Sequence, residues 1–334
     1  MNALITGGAG FIGSHLAEAI LDARASRVVV LDDLSTGSRA NLAALAGRSD
    51  FELVEGDVCD QGVVAPLVDR CEVVFHLAAA VGVRLIAECP IHTIKTNVNG
   101  TETVLAEAAR HGRTVIVAST SEVYGKNNRP PFAEGDDTTL GSTQSMRWSY
   151  ACSKLTDEFL ALAYHQQRDL PVVICRLFNT IGPRQQGRYG MVVPRFIRQA
   201  LDDAPLEVYG TGRQTRCFCH VADTVRALLL LASCPEAVGQ VVNVGSDESV
   251  SIRQLAECIV EMTGSRSDIR AISYEQAYGR WIEDMQVRAP DLKKIRALTG
   301  YEPTYTLRKT LEAVIAHACG QAATAQQDRS ERRP

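Results

Sequence analysis

The chain has 334 residues, 46% hydrophobic and 22% charged, which suits one large α/β unit or two coupled lobes and excludes a disordered protein or a small disulfide scaffold. Its formal net charge of -4 provides no whole-chain basic field for nucleic acid or an anionic membrane, so neither is an expected partner. An anionic ligand has to be met by local cations.

In chain order, short β-rich runs alternate with helical stretches. Strands are predicted at Ala3 to Thr6, Arg27 to Leu31, Phe51 to Glu55, Val73 to Leu77 and Thr114 to Ala118, with helices from about Ile12 and from about Thr96 to His111. Helices of this length between strands imply βαβ units and a parallel sheet covered on both faces, and the uninterrupted apolar runs Val28-Val29-Val30-Leu31 and Val115-Ile116-Val117-Ala118 suit doubly buried strands. A long helix follows from Tyr150 to Arg168, then a strand from Val172 to Arg176. After it the chain becomes Gly/Pro-punctuated, and Gln240 to Val244 looks like a strand returning to the first sheet. The predicted class is α/β, a Rossmann-type doubly wound parallel sheet with a smaller mixed α/β substrate lobe. Residues 1–178 with about 213–245 form the dinucleotide domain, about 179–212 and 246–319 the second lobe, and the polar tail 320–334 is expected to be disordered.

The first strand starts at Asn2 or Ala3, leaving no room for a signal peptide, and no apolar run suggests a membrane span. The ten cysteines lie in apolar segments without C-x-x-C pairs, and read as reduced, mostly buried thiols of a cytoplasmic protein. Neighbouring residues on a strand point to opposite faces, which argues against a metal site in Cys217-Phe218-Cys219-His220; no metal is expected.

Between strand one and helix one lies Thr6-Gly7-Gly8-Ala9-Gly10-Phe11-Ile12-Gly13. It contains Gly8-x-Gly10-x-x-Gly13 and equally Gly7-x-x-Gly10-x-x-Gly13. Such glycines permit a tight turn, close approach of backbone N–H groups to a pyrophosphate and close helix packing. Asp32-Asp33 ends the second strand, where a carboxylate takes adenosine ribose hydroxyls and repels a 2′-phosphate, so the predicted cofactor is NAD. Arg39, on the following loop, is the cation able to offset that repulsion; the plainer reading is a solvated side chain. Gly56-Asp57-Val58 puts a further carboxylate at the sheet's C-terminal rim, facing the adenine amino group.

Ser149-Tyr150-Ala151-Cys152-Ser153-Lys154 places a phenol and an ammonium on one helix face. A positive neighbour favours the phenolate, so Lys154 together with an oxidised nicotinamide makes Tyr150 a base near neutrality. Ser119-Thr120-Ser121-Glu122-Val123-Tyr124-Gly125 supplies hydroxyls at the same rim.

The glycine turn, His76-Leu77-Ala78-Ala79-Ala80, Asn97, Ser119 to Gly125, Tyr150 with Lys154, and Arg176-Leu177-Phe178-Asn179-Thr180-Ile181-Gly182-Pro183-Arg184 together resemble the extended short-chain dehydrogenase/reductase family acting on nucleotide sugars. The resemblance runs from residue 2 to about 318. It implies that Gly7, Gly10, Phe11, Ile12, Gly13, Asp32, Asp33, Asp57, Val58, Leu77, Ala78, Ala79 and Asn97 hold NAD with Tyr150 and Lys154. Thr120, Ser121, Glu122, Tyr150, Lys154 and Arg288 are implied for catalysis, and Asn179, Val193, Tyr209, Gln214, Arg216 and Arg288 for the nucleotide-sugar substrate. Gln214-Thr215-Arg216 also makes independent sense: an extended segment there presents two polar groups on one face, one of them cationic, to a diphosphate.

Members of this family begin by oxidising sugar C4 to a ketone, after which 4-epimerisation, 4,6-dehydration or decarboxylation of a hexuronate follows. The standard dehydratase pair Asp-Glu is absent, since Ser121 stands where the acid would be, and typical UDP-galactose 4-epimerases carry small residues at Glu122. Thr120-Ser121-Glu122, Arg147-Trp148-Ser149-Tyr150, Gln214 to Phe218, and Tyr278-Gly279 followed by Asp284-Met285-Gln286-Val287-Arg288-Ala289-Pro290 are similar to UDP-glucuronate decarboxylases. That resemblance places Arg288 and Glu122 at the reacting carboxylate. The chain departs from plant and animal UDP-xylose synthases at Tyr-Ala-Cys-Ser-Lys, where they read Tyr-Asp-Glu-Gly-Lys, and at Met191, where they carry arginine. The favoured activity is a UDP-glucuronate decarboxylase; the alternatives are a UDP-hexose or UDP-hexuronate 4-epimerase, a 4,6-dehydratase, and a non-catalytic NAD-binding sensor. Helices Val98 to His111 and Tyr150 to Arg168 carry surplus apolar residues (Val104, Leu105, Ala108; Leu155, Phe159, Leu162, Ala163). Relatives commonly pair these helices into a two-fold four-helix bundle, which implies a homodimer.

Overall fold

The computed structural model describes residues 1–23, 26–82, 88–187, 191–278 and 284–331. Its main sheet uses β1 (Asn2–Thr6), β2 (Arg27–Asp32), β3 (Phe51–Glu55), β4 (Val73–His76), β5 (Thr114–Thr120), β6 (Val172–Leu177) and, after a long excursion, β11 (Gln240–Val244). The seven strands lie in the order β11-β6-β5-β4-β1-β2-β3, all parallel. The order reverses between β1 and β4, so the crevice beyond their C-terminal ends is where a ligand sits in such a sheet.

Both faces are apolar because neighbouring residues on each strand point opposite ways. Ile5, Val28 and Val30 pack on one side with Leu16 and Ile20 of α1 (Phe11–Asp22) and Leu228 and Leu231 of α6 (Val221–Ala232). Leu4, Val29 and Leu31 pack on the other with Leu67 of α2 (Gln61–Asp69), Leu105 of α3 (Pro90–His111) and Ala161 of α4 (Ser149–Arg168). Each large side chain so enclosed contributes roughly 1.5–3 kcal/mol of hydrophobic stabilisation. Val104, Leu105 and Ala108, counted in the sequence as surplus for a partner, belong to this core. The apolar residues left outside on these helices are Ile91, Ile94 and Phe159.

The second lobe has its own core, Val193, Phe196 and Ile197 of α5 (Val192–Leu201) against Leu255 and Ile259 of α7 (Ile252–Thr263) and Leu311 of α10 (Leu307–Glu331). Its strands β8 (Leu206–Tyr209) and β13 (Ile269–Ile272) pair in parallel. β9 (Thr215–Cys217), grouped by sequence with the dinucleotide domain, pairs with β12 (Ser249–Ser251) and β14 (Val287–Arg288). Leu292, Ile295 and Tyr301, grouped with the lobe, pack in the core of the main sheet. The segment from Gly320, expected to be disordered, continues α10 to Glu331. Its alanines, glutamines and arginines are good helix formers, and proline comes only at the last residue.

The cysteines are free thiols: Cys71, Cys175, Cys217 and Cys219 are buried, whereas Cys89, Cys152 and Cys319 are exposed, so fewer are enclosed than the apolar flanks suggest. Among the described residues no helix is long and apolar enough to cross a membrane, and no His/Cys/Asp/Glu group is arranged to hold a metal.

Candidate active site

A cavity of about 580 Å3 follows the C-terminal rim of the main sheet and continues under the second lobe. The glycine turn forms its floor. Gly7 has a φ of +70°, and a Cβ there would stand 2.8 Å from the Ala78 backbone nitrogen; at Gly13 it would stand 2.5 Å from the Gly7 carbonyl. The spacing that lines the cavity is therefore Gly7-x-x-Gly10-x-x-Gly13, whereas Gly8 is required for packing on Val30. Phe11 and Ile12 open α1 along the same wall.

Asp32 is buried at the end of β2, its oxygens accepting the backbone N–H groups of Ala9 and Leu34, each at 2.9 Å. Burial pushes its carboxyl upward and these two hydrogen bonds oppose that shift. Asp33 caps Ser35 and Asp57 accepts from the Cys59 backbone at 2.8 Å, and both face the cavity with Val58, Leu77, Ala78 and Ala79. Arg39 pairs with Glu55 at the end of β3. Asn97 is absent from the cavity wall. It is buried, accepting from the Ala80 N–H at 2.8 Å and donating to Ser153 at 3.0 Å, so it ties the Ala78 to Ala80 loop to α4.

Tyr150 and Lys154 project from the first turns of α4, both buried. Burial and the nearby charge of Glu122 push the Tyr150 phenol well above its usual range, against the neighbouring Thr120 hydroxyl. Lys154 stands 2.7 Å from Asp157, so in this structure its charge is matched within the helix, a partner the sequence reading did not provide. His76, in the recognised His76-Leu77-Ala78 run, is buried between Thr6 and Thr101 and held down to about 3 by burial and the Lys154 charge; it is a neutral packing group.

Beyond Tyr150 the wall is ionic. Glu122 pairs with Arg147 and lies 3.3 Å from Arg288. Burial opposes its charge, but Arg147, Arg288 and Arg216 outweigh it and hold the carboxyl down to about 2. Arg288 is lowered to about 10 by burial and by Arg216, against the attraction of Glu122 and Asp284. Arg216 in turn pairs with Asp284 at 2.9 Å, which also accepts from Tyr274 at 3.0 Å. Among the described residues, the guanidiniums of Arg147, Arg216 and Arg288 thus gather around the carboxylates of Glu122 and Asp284. The Nε of Arg288 and the Oγ of Ser121 are buried with no hydrogen-bond partner.

At the lobe end, Asn179 donates to the Cys217 carbonyl at 3.1 Å and Gln214 to the Tyr209 carbonyl at 2.8 Å. Arg195 lies 4.0 Å over the Tyr209 ring. Val193, Tyr209, Gln214 and Arg216 line the cavity as the sequence suggested. Gly279 lies outside the described residues. Arg147 and Asp284 stand within the sequence motifs but carry no role there, and Asp157 and Arg195 lie outside them. Signals were available in the placement of Arg147 just before Trp148-Ser149-Tyr150 and in the helical spacing of Asp157 from Lys154.

The sequence profile of the NAD dependent epimerase/dehydratase family matches residues 3–245. The chain belongs to this family. Among curated relatives of this family member, the UDP-N-acetyl-alpha-D-glucosaminuronate decarboxylase of Bacillus cytotoxicus is 42% identical over 314 residues, covering 93% of this chain and 96% of that protein. UDP-glucuronic acid decarboxylase 1 of Xenopus tropicalis is 38% identical, covering 93% and 70%. Among solved structures, UDP-glucuronic acid 4-epimerase from Bacillus cereus, in complex with UDP-glucuronic acid and NAD, superposes with a TM-score of 0.87 at 29% identity over 96% of this chain and 100% of that one. NAD is the cofactor of this epimerase/dehydratase family member, and the residues fit it: a positive-φ glycine with no room for a Cβ beneath the pyrophosphate position, and a buried Asp32 for the ribose.

Proposed function

We propose that the chain is a decarboxylase of a UDP-hexuronate, glucuronate or its 2-acetamido counterpart. The observation that carries this reading is the guanidinium charge of Arg288 beside Tyr150, where Arg288 and Ser121 each retain an unpartnered buried polar atom. A substrate carboxylate neutralises that charge and satisfies both atoms; a neutral hexose does not. The two decarboxylase relatives support the same reading.

Bound NAD supplies the hydride acceptor, and later donor, at sugar C4. Tyr150, beside Thr120, takes the C4 hydroxyl proton. With C4 a ketone, the C5 carboxylate is that of a β-keto acid, and its carbon–carbon bond breaks to release carbon dioxide and leave an enolate. Arg288 orients the carboxylate, and the fixed negative charge of Glu122 disfavours its ionised ground state. Asn179, Gln214 and Arg216 hold the nucleotide diphosphate. The exposed Phe159, Ile91 and Ile94 support a homodimer through the helices that carry them, and the free thiols suit the cytoplasm.

Incubation with NAD and UDP-glucuronate, its 2-acetamido analogue, UDP-glucose and UDP-galactose, read by mass and proton NMR, tests the proposal. Loss of carbon dioxide from a hexuronate is expected. An unchanged mass with inverted C4 makes the protein a 4-epimerase instead, and loss of water makes it a dehydratase.

A further inference from the structure

Lys154 Nζ stands 2.7 Å from Asp157 Oδ2, with side-chain exposures of 3% and 0%. A carboxylate enclosed so completely is costly unless it is paired and hydrogen-bonded. Burial pushes the Asp157 carboxyl upward; Lys154 and, more weakly, the neighbouring Thr101 hydroxyl oppose that shift, and Oδ1 has no hydrogen-bond partner. Thr101 also lies 3.0 Å from His76 Nε2, whose Nδ1 lies 2.8 Å from the Thr6 hydroxyl; Thr6 accepts from the Ala78 N–H at 3.2 Å.

The backbone N–H at one end and the carboxylate at the other give this chain a direction. If Thr101 turns its proton toward Asp157, it accepts from His76 Nε2–H. Nδ1 is then the acceptor for the Thr6 proton, and Thr6 remains free to accept from Ala78. Each linked group then donates once in the same direction, from the Ala78 N–H of the cofactor wall to Thr101, which lies beside Asp157. A neutral, buried His76 is what this requires.

We propose that Asp157 is a positioning residue, which anchors the Lys154 ammonium to the helix that bears Tyr150 and so sets the charge that faces the phenol. An unmatched ammonium swings on a flexible four-carbon stem; clamped to its own helix it presents one fixed charge. Among the interactions on Tyr150 the Asp157 charge opposes ionisation, in the same sense as Glu122 and against Arg288. The other groups facing this cluster are Glu158 on the same helix, His76 on β4 and Arg147 beside Glu122.

The inference rests on Tyr150 being the proton-transfer group proposed above, so the test reads the phenol without turnover. The NAD-loaded full chain is titrated by ultraviolet difference absorption, and the Tyr150 transition is isolated by subtracting Tyr150→Phe in each background. Asp157→Asn is expected to move that transition to lower pH by about one unit, and Asp157→Glu to leave it near wild type. A folded Asp157→Asn whose transition coincides with wild type overturns the proposal. Should Asp157→Asn not fold, nitrogen-15 NMR of lysine in the wild-type chain decides. A slowly exchanging ammonium that vanishes in Lys154→Arg is expected, and its absence, with Nζ protons in fast exchange, overturns the anchor. Full turnover in Tyr150→Phe would remove the decarboxylase mechanism while leaving either measurement of Asp157 intact.

Discussion

Arg288 of β14 and Glu122 of the turn after β5 meet at 3.3 Å although 166 residues separate them in sequence. The contact closes the second lobe onto the end of the main sheet, and Arg147 holds the other carboxylate oxygen. Because Glu122 stays ionised down to about 2, it is a fixed negative charge at any working pH. Glu122→Gln removes that charge while keeping its shape. Decarboxylation is expected to fall about 100-fold or more, while oxidation at C4, followed as cofactor reduction, is largely spared. Stopped-flow absorbance beside product mass reads the two steps, and an equal loss of both would count against this division of roles.

Arg288→Met removes the positive charge and the unpartnered Nε together. Affinity for a UDP-hexuronate is expected to fall about 10- to 100-fold, the worth of a charge-assisted hydrogen bond. Affinity for UDP-glucose, which has no carboxylate, is expected to stay within about twofold. Titration calorimetry with both ligands reads the difference, and parallel losses would mean that Arg288 serves only the lobe contact.

The main sheet was legible because its signal is local: β11 falls at Gln240–Val244 as the apolar run indicated, and the glycine turn stands between β1 and α1. Helix α3 begins at Pro90, earlier than the expected Thr96, since the polar stretch from His92 to Asn97 offers little periodicity. The ionic cluster was only half legible. Glu122 and Arg288 were visible through resemblance, but the meeting of Arg147, Arg216 and Arg288 with Glu122 and Asp284 depends on which distant strands the lobe brings together. At Asn97 the motif does not reveal the local role that the structure adds, a buried brace between Ala80 and Ser153.

Gly7→Ala tests the cofactor floor. The new Cβ would meet the Ala78 backbone at 2.8 Å on a residue with φ +70°, and neither the backbone nor the left-handed conformation yields cheaply. Loss of bound NAD is expected, measured as the ratio of absorbance at the adenine band to protein after desalting. Retention of wild-type NAD content would show that the turn relaxes.

His76 links protonation to stability. Its folded-state value of about 3 lies below the ordinary 6.5, so the unfolded chain takes up the proton first. The contribution is complete above about pH 6.5 and is lost as pH falls toward 3, with a slope of up to about 1.4 kcal/mol per pH unit for one proton. His76→Gln keeps a hydrogen-bonding side chain but cannot titrate. Urea unfolding between neutrality and about pH 5 is expected to show a shallower loss in the variant than in wild type; identical slopes would place the proton uptake elsewhere.

Phe159 is 73% exposed on α4 and Ile91 is 72% exposed on α3, and these helices pack against each other on one side of the sheet. The proposed homodimer would cover this exposed phenylalanine on a helix that otherwise faces the core and bears Tyr150 and Lys154. In a two-fold dimer the same residue is buried twice, so roughly 1.5–3 kcal/mol per side chain doubles. Phe159→Glu is therefore expected to weaken association at least about 100-fold and to yield monomers by light scattering, with NAD still bound because no cofactor contact is touched. A variant that elutes with the wild-type mass would leave this face without a partner and the dimer, if one forms, elsewhere.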